Sequence, residues 1–233
     1  MKKSTTLRFS RFALGLMFIT AFALTGCLRE DSENVNQDRI WGHYELFYDG
    51  NDDVTYVRAT FRFGHALGTK LELTEPSNVK FNGSEITFRP ALAMYERSFP
   101  GFIPSGTFEF TDTDGNTFIN DVEIRTIEQP FEVGPIDRTQ AFAYPWQGDP
   151  ISSRETVTLT LRGGNNGGTE VFNTAAIGAT ELTLGVSQLQ QLSTGNGTAV
   201  LDRVYNPPIA QATSAGGLLW GKYRAPDKTV VIE

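Results

Sequence analysis

Alternation of side-chain character over short runs, each closed by turn-forming residues, is what most constrains how this chain can fold. Within residues 54–63, Val54, Tyr56, Arg58, Thr60 and Arg62 share one phase, and Thr55, Val57, Ala59, Phe61 and Phe63 share the other, drier one. A period of two sends successive side chains to opposite faces of a strand and gives a helix no coherent face. Residues 41–48 precede this run, and Asp49-Gly50-Asn51-Asp52-Asp53 lies between the two. Such residues tolerate the backbone angles of tight turns, so the pair reads as a hairpin.

The same rhythm continues along the chain. Short strands are expected at 71–74, 79–81 and 85–88, and a further hairpin at 106–111 and 117–127 around Asp112-Thr113-Asp114-Gly115-Asn116. Residues 89–104 contain Pro90, Pro100 and Pro104 and read as a long loop. Glu128-Gln129-Pro130-Phe131-Glu132-Val133-Gly134-Pro135 interrupts the strands, and a domain boundary is placed there. Beyond it, strands are expected at 139–143, 155–161, 170–173, 180–184, 199–205, 218–224 and 229–232, with one short helix marked by Val186, Leu189 and Leu192. Strands recurring at this spacing predict an all-β chain of β-sandwiches. The rhythm resembles that of the immunoglobulin-like domains common in bacterial surface lipoproteins, although the Cys–Trp–Cys pattern of antibody domains is absent. Length alone suits one large sandwich or two, and the resemblance implies two immunoglobulin-like sandwiches, at 40–128 and 129–233.

Residues 1–26 read as a targeting segment. Lys2, Lys3, Arg8 and Arg11 bring four positive charges with no acid, and residues 12–24 are an almost unbroken apolar run. A helix of about 13 residues rises about 20 Å, short of the roughly 30 Å hydrocarbon core, so the segment is expected to be cleaved rather than to span. Leu24-Thr25-Gly26-Cys27 follows, and it resembles the lipobox of bacterial lipoproteins: a branched apolar residue, two small residues and the obligatory cysteine. The resemblance implies cleavage before Cys27, a diacylglycerol thioether on its sulfur and an acylated new amino terminus. No other cofactor is expected. Cys27 is the chain's only cysteine, so it has no disulfide partner and a chemical role explains it better. At about 0.8 kcal/mol per buried methylene, two or three acyl chains anchor a protein almost irreversibly.

Residues 27–39 are polar, largely acidic and without apolar period, and are expected to form a flexible tether. Within them, Arg29-Glu30-Asp31 resembles the export signal with which Bacteroidota place lipoproteins on the outer face of the outer membrane, with arginine where lysine is usual. The resemblance implies cell-surface display. An ordinary tether facing the periplasm accounts for the same residues, so both faces of the outer membrane stay open.

The targeting segment holds four of the 20 basic side chains and none of the 27 acidic ones, so its removal makes the chain more acidic than its formal charge of −7. Repulsion from phosphates argues against a nucleic-acid partner, and against a basic patch as the membrane anchor. The lipid is expected to attach the chain.

Candidate chemistry is sparse. Asp112, Asp114, Asn116 and Glu123 match four ligand positions of a calcium loop, but Thr117 stands where that loop needs glycine, and an Asp-Gly hairpin turn explains the same residues with less. His43 and His65 lack the close spacing of a zinc pair, and there is no Gly-x-Ser-x-Gly nucleophile turn. Trp146, in Tyr144-Pro145-Trp146-Gln147-Gly148-Asp149-Pro150, either stacks on a ligand or plugs the open end of a sandwich. Trp41 and Trp220, inside alternating runs, are expected in the core. These features predict a non-enzymatic, lipid-anchored envelope protein that binds or supports a protein or glycan partner through its loops. The alternative is a carbohydrate-binding or small hydrolase lipoprotein of a glycan-uptake system.

Overall fold

Strands that are dry on one face must bury that face against another sheet. The computed structural model describes residues 29–233; the targeting segment, the lipobox and Cys27 lie outside the described residues. The first half forms β1 (Arg29–Asp31), β2 (Ile40–Asp49), β3 (Val54–Phe63), β4 (Lys70–Glu72), β5 (Asn78–Phe81), β6 (Ser84–Glu85), β7 (Phe88–Arg89), β8 (Met94–Pro100), β9 (Ser105–Thr111) and β10 (Thr117–Glu123). The second half forms β11 (Phe142–Pro145), β12 (Glu155–Arg162), β13 (Thr169–Thr174), β14 (Glu181–Leu184), the short helix α1 (Val186–Leu189), β15 (Gly195–Tyr205), β16 (Gly217–Arg224) and β17 (Lys228–Ile232). Strands take 51% of the described residues and helices 6%, so the protein is all-β, as the alternation predicts.

The strands assemble into a long sheet with the path β1-β4-β3-β2-β16-β15-β12-β13, a smaller sheet β10-β9-β5-β6 and the pair β11-β14. The inner face of the long sheet carries Tyr44 and Leu46 from β2 and Val57, Ala59 and Phe61 from β3, all buried. Opposite them, the smaller sheet supplies Phe81, Phe108 and Phe110. Rings meet across the gap, Tyr44 with Phe108 at 5.2 Å and Phe61 with Phe110 at 4.6 Å between centroids. In the second half, Val157, Leu159, Leu161, Ala199 and Leu201 bury the same inner face together with Tyr144, Leu182 and Leu184 of β11 and β14. One continuous hydrophobic cluster contains all of these residues.

Register joins the halves. β16 lies parallel to β2 from Gly217 opposite Gly42 to Arg224 opposite Asp49. Parallel neighbours need a long crossover, and here nearly the whole intervening chain supplies it. The boundary placed between residues 128 and 129 divides the sequence, while the hydrogen-bonded sheet runs across it. Gly221 shows how closely the layers approach: a Cβ there would sit 1.8 Å from the Glu123 carbonyl oxygen.

Two expectations are corrected. Residues 89–104 are not one long loop, because they contain β8, paired to β3 from Ala59–Tyr95 to Val54–Pro100. The prolines stand at or beyond the strand's ends, where a missing N–H costs little. Residues 27–39 are not free tether from Arg29 onward. β1 pairs in parallel with β4, Arg29 opposite Lys70 and Asp31 opposite Glu72, and Arg29 bridges to Glu72 at 2.7 Å. Ser32 and Gln37 are buried, and the Gln37 amide donates to the Ser32 and Val35 carbonyls at 2.6 and 2.9 Å. A sheet edge offers unpaired backbone groups to any extended segment, a contact that hydropathy does not report.

Candidate functional site

Since the apolar phase of β2, β3 and β16 faces inward, the opposite phase forms the outer face of the long sheet. It brings Trp41, His43, Glu45 and Phe47 of β2 beside Tyr56 and Arg58 of β3 and Trp220, Lys222 and Arg224 of β16. Register sets them in rows: Arg58, Glu45 and Trp220 lie across adjacent strands, and so do Tyr56, Phe47 and Lys222. Strand neighbours are about 4.8 Å apart, which places the rings and charges at the spacing of a continuous surface.

Trp41, His43 and Trp220 are all partly exposed. The imidazole lies 4.6 Å from the Trp220 ring, edge-on at 81°, and 6.1 Å from the Trp41 ring. Next to them, Phe47 is roofed by cations: Lys222 Nζ at 4.8 Å, and the Arg58 and Arg224 guanidiniums at 5.4 and 5.6 Å from its centroid. Such cations are attracted by the ring's negative face. Each arginine is also paired, Arg58 with Glu96 at 2.7 Å and Glu45 at 3.2 Å, and Arg224 with Asp202 at 2.9 Å. The cations cover Phe47, which is buried, and the partly exposed rings beside it are Trp41, His43, Tyr56 and Trp220.

Burial pushes the His43 imidazole below its ordinary value, Glu45 partly opposes this and Arg62 adds to it. Its Nε2 is buried without a hydrogen-bond partner. His43 is therefore neutral at pH 7, and its NMR titration is expected below about 6.5, the value in an unfolded chain. A base depressed by folding binds protons better when unfolded, so this residue subtracts stability as pH falls below about 6.5. A midpoint at or above that value would contradict the burial of Nε2.

A second polar cluster lies on the inner side. A cavity of about 260 Å³ between Arg125, Thr126, Asp149 and Ser152 has Arg203 and Glu155 at its base, exposed by 2% and 3%. Arg203 Nε donates to Glu155 at 3.2 Å, Nη1 to the Thr126 and Asp149 carbonyls at 3.2 and 2.9 Å, and Nη2 to the Pro150 carbonyl at 3.1 Å and again to Glu155. A guanidinium has five N–H donors, and all are engaged. Ser152 donates to Glu155 from its backbone N–H at 3.1 Å and its hydroxyl at 2.8 Å. The arrangement pins β12 and β15 to two loops and leaves no donor of Arg203 or Ser152 for a substrate.

The residues named from sequence fall differently. Trp146 is 6% exposed, with Nε1 directed at the Asp149 carbonyl 3.5 Å away, so it plugs the second half and offers no stacking face. Trp41 and Trp220, expected in the core, are on the outer face. Asp112, 1% exposed, receives the Asn116 N–H at 2.8 Å and the Asn116 side-chain amide at 2.9 Å. Glu123 stands at the opposite end of β10 from that turn and pairs with Arg125 at 2.5 Å, so the four candidate calcium ligands Asp112, Asp114, Asn116 and Glu123 are not gathered. His65 lies in the turn after β3, where its Nδ1 accepts the Leu67 N–H. Arg29, Glu30 and Asp31 are exposed along β1. Sequence reasoning missed Glu155 and Arg203; a charge on the inward phase of an apolar strand is the signal that marks them.

No protein-family model and no curated protein matches the chain. Two solved structures resemble it distantly, each at 14% identity. One comes from structural work on host cell surface retention of a 1.5-MDa bacterial ice-binding adhesin, with a TM-score of 0.30 over 82% of this chain and 64% of the other. The second is Bacteroides ovatus SGBP-B of a mixed-linkage glucan utilization locus, in complex with a mixed-linkage heptasaccharide, with a TM-score of 0.25 over 87% of this chain and 45% of the other. The chain thus spans less than two thirds of either. At these scores neither likeness bears on the site.

Proposed function

We propose that the chain is a lipid-anchored protein of the outer membrane, displayed at the cell surface through Cys27, that binds glycan without catalysis on the outer face of its long sheet. The observation that carries this reading is the set Trp41, His43 and Trp220, partly exposed on the outer face and bordered by Arg58, Glu45 and Lys222. Indole faces stack on the apolar faces of sugar rings, while neighbouring carboxylates and guanidiniums suit hydroxyl groups that both donate and accept. Binding is favoured over hydrolysis because the carboxylate at the base of the cavity, Glu155, is held ionised by a saturated guanidinium instead of being poised to donate a proton.

Affinity electrophoresis of the mature protein through gels containing soluble glucans, xylans or mannans tests the reading. At least one polysaccharide is expected to retard it. Trp220→Ala is expected to weaken that binding about 30-fold, the effect of losing an aromatic anchor worth about 2 kcal/mol, whereas Phe131→Ala, 87% exposed beside Lys228 at the end of the sheet opposite Trp41, leaves it unchanged. Unretarded migration through every glycan, or retardation indifferent to Trp220 and Trp41, would remove glycan binding from this face.

A further inference from the structure

The few residues after Cys27 limit how far the folded body stands from its anchor. Arg29 is already paired with Lys70, and the two residue steps from Cys27 span at most about 7 Å. The chain joins the sheet at the end where β2 begins and β3 finishes, since Lys70 lies opposite Arg62, and Phe63 opposite Ile40. Two of the turns at this end carry exposed leucines; the 206–216 connection and the β9–β10 turn also reach it, through the Ser214 N–H on Asp38 at 3.0 Å and the Thr113 N–H on Gln37 at 3.4 Å. The turn between β3 and β4 carries Leu67, 88% exposed, and the turn between β7 and β8 carries Leu92, 49% exposed. Both leucines are fixed through their backbones, with the Leu67 N–H on His65 Nδ1 at 3.2 Å and the Leu92 N–H on the Arg89 carbonyl at 3.0 Å. Long basic side chains accompany them: Arg62 donates to the Gly68 carbonyl at 2.9 Å, Arg39 stacks over Phe63, and Lys70 and Arg89 begin and end the flanking strands. Of the acids in this corner, Glu72 is neutralised by Arg29, Asp38 sits beside Arg39 and accepts the Ser214 N–H at 3.0 Å, and Glu30 and Asp31 lie along β1.

We propose, on the reading that Cys27 carries lipid, that this end of the long sheet rests directly on the bilayer, with Leu67 and Leu92 entering the headgroup boundary. The occupant is the lipid surface because the chain reaches its anchor within two residues at the end where the leucines project. Arginine and lysine stems can lie along such a boundary while their charged heads stay at the phosphate level. The strands then stand upright. The outer face is held side-on, with Trp41 nearest the membrane and Arg224, at the other end of the parallel pair, farthest from it.

The lone cysteine makes the test direct, because a lipidated sulfur cannot take a maleimide. Leu67→Cys, Leu92→Cys and Phe131→Cys proteins are purified with their anchor, labelled with a maleimide fluorophore and reconstituted into vesicles of phosphatidylethanolamine and phosphatidylglycerol containing acyl-brominated lipid. Phe131 serves as the distant reference: its carbonyl accepts from Lys228, and neighbouring Asp227 meets Asn51 in the β2–β3 turn at the far end of the sheet. Labels at 67 and 92 are expected to be quenched several-fold more than the label at 131. Labelling of the unsubstituted protein would show a free Cys27 and overturn the anchor, and this orientation with it. A blocked Cys27 with 67 and 92 quenched no more than 131 would overturn the orientation alone.

Discussion

Replacing Glu155 with alanine is expected to lower folding stability by about 3–5 kcal/mol, the range for breaking one side of a buried ion pair. Neither Glu155 nor Arg203 reaches water to any useful extent, and a guanidinium does not give up its proton in proteins. The variant therefore leaves the buried Arg203 charge without its carboxylate, held only by the carbonyls of Thr126, Asp149 and Pro150. Arg203→Met leaves a carboxylate instead, and a carboxylate can be neutralised. In the native protein, burial alone would raise the Glu155 carboxyl, but hydrogen bonds from Arg203 and Ser152 outweigh it and hold the group below its ordinary value. A carboxyl depressed by folding stabilises above its unfolded pKa, about 4.3, and loses that contribution as pH falls through its folded value. Without Arg203, burial is opposed by Ser152 and the more distant Arg125, and the carboxyl is expected to rise above about 4.3. From neutral pH towards about 4.5, the deficit of Arg203→Met should shrink while that of Glu155→Ala keeps its size. Urea unfolding of both variants across this interval checks the sign. Equal deficits at every pH, or losses under about 1 kcal/mol as at a surface pair, would contradict the pinning role.

Local pattern carried much of the fold. The dry phase of residues 54–63 is the buried face of β3, the Asp-rich clusters are the hairpin turns, and Val186 and Leu189 fall in α1. Side-chain periodicity is a property of each strand alone, so it reports which face is buried but not which strand lies alongside. The parallel pairing of β2 with β16 across most of the chain had no local signal, nor did the docking of β1 on the edge of β4, which uses backbone groups rather than side-chain character. The site was partly legible. His43 and Glu45 share the phase of Trp41, and Lys222 and Arg224 share that of Trp220, so alternation already turns both indoles outward; the general tendency of tryptophan to be buried pointed the other way. Trp146 shows that tendency where no alternation opposes it, in a loop folded over the end of the second half.

Phe61→Ala is expected to remove about 3–5 kcal/mol and to lower the melting temperature by about 6–20 °C in a protein of this size. Phe61 is fully buried where the two sheets of the first half meet, with ring centroids of Tyr44, Tyr95 and Phe110 at 5.9, 5.7 and 4.6 Å. Alanine leaves a cavity that these rings, each held by its own strand, can close only in part. The consequence should extend beyond the first half. β2 is paired with β3 over ten residues on one side and with β16 over eight on the other, so β3 cannot come apart without stripping one edge of the strand that carries β16 on its other edge. Unfolding is therefore expected as a single transition, and amide exchange in β12 and β15 should accelerate along with that in β3 when Phe61 is replaced. Two resolved transitions, with protection of β12 and β15 unchanged in the variant, would mean that the halves fold separately and that the β2–β16 ladder joins them only after each is formed. A coupled loss would mean instead that Trp41 and Trp220, on the two strands of that ladder, are held at their spacing by the stability of the whole chain.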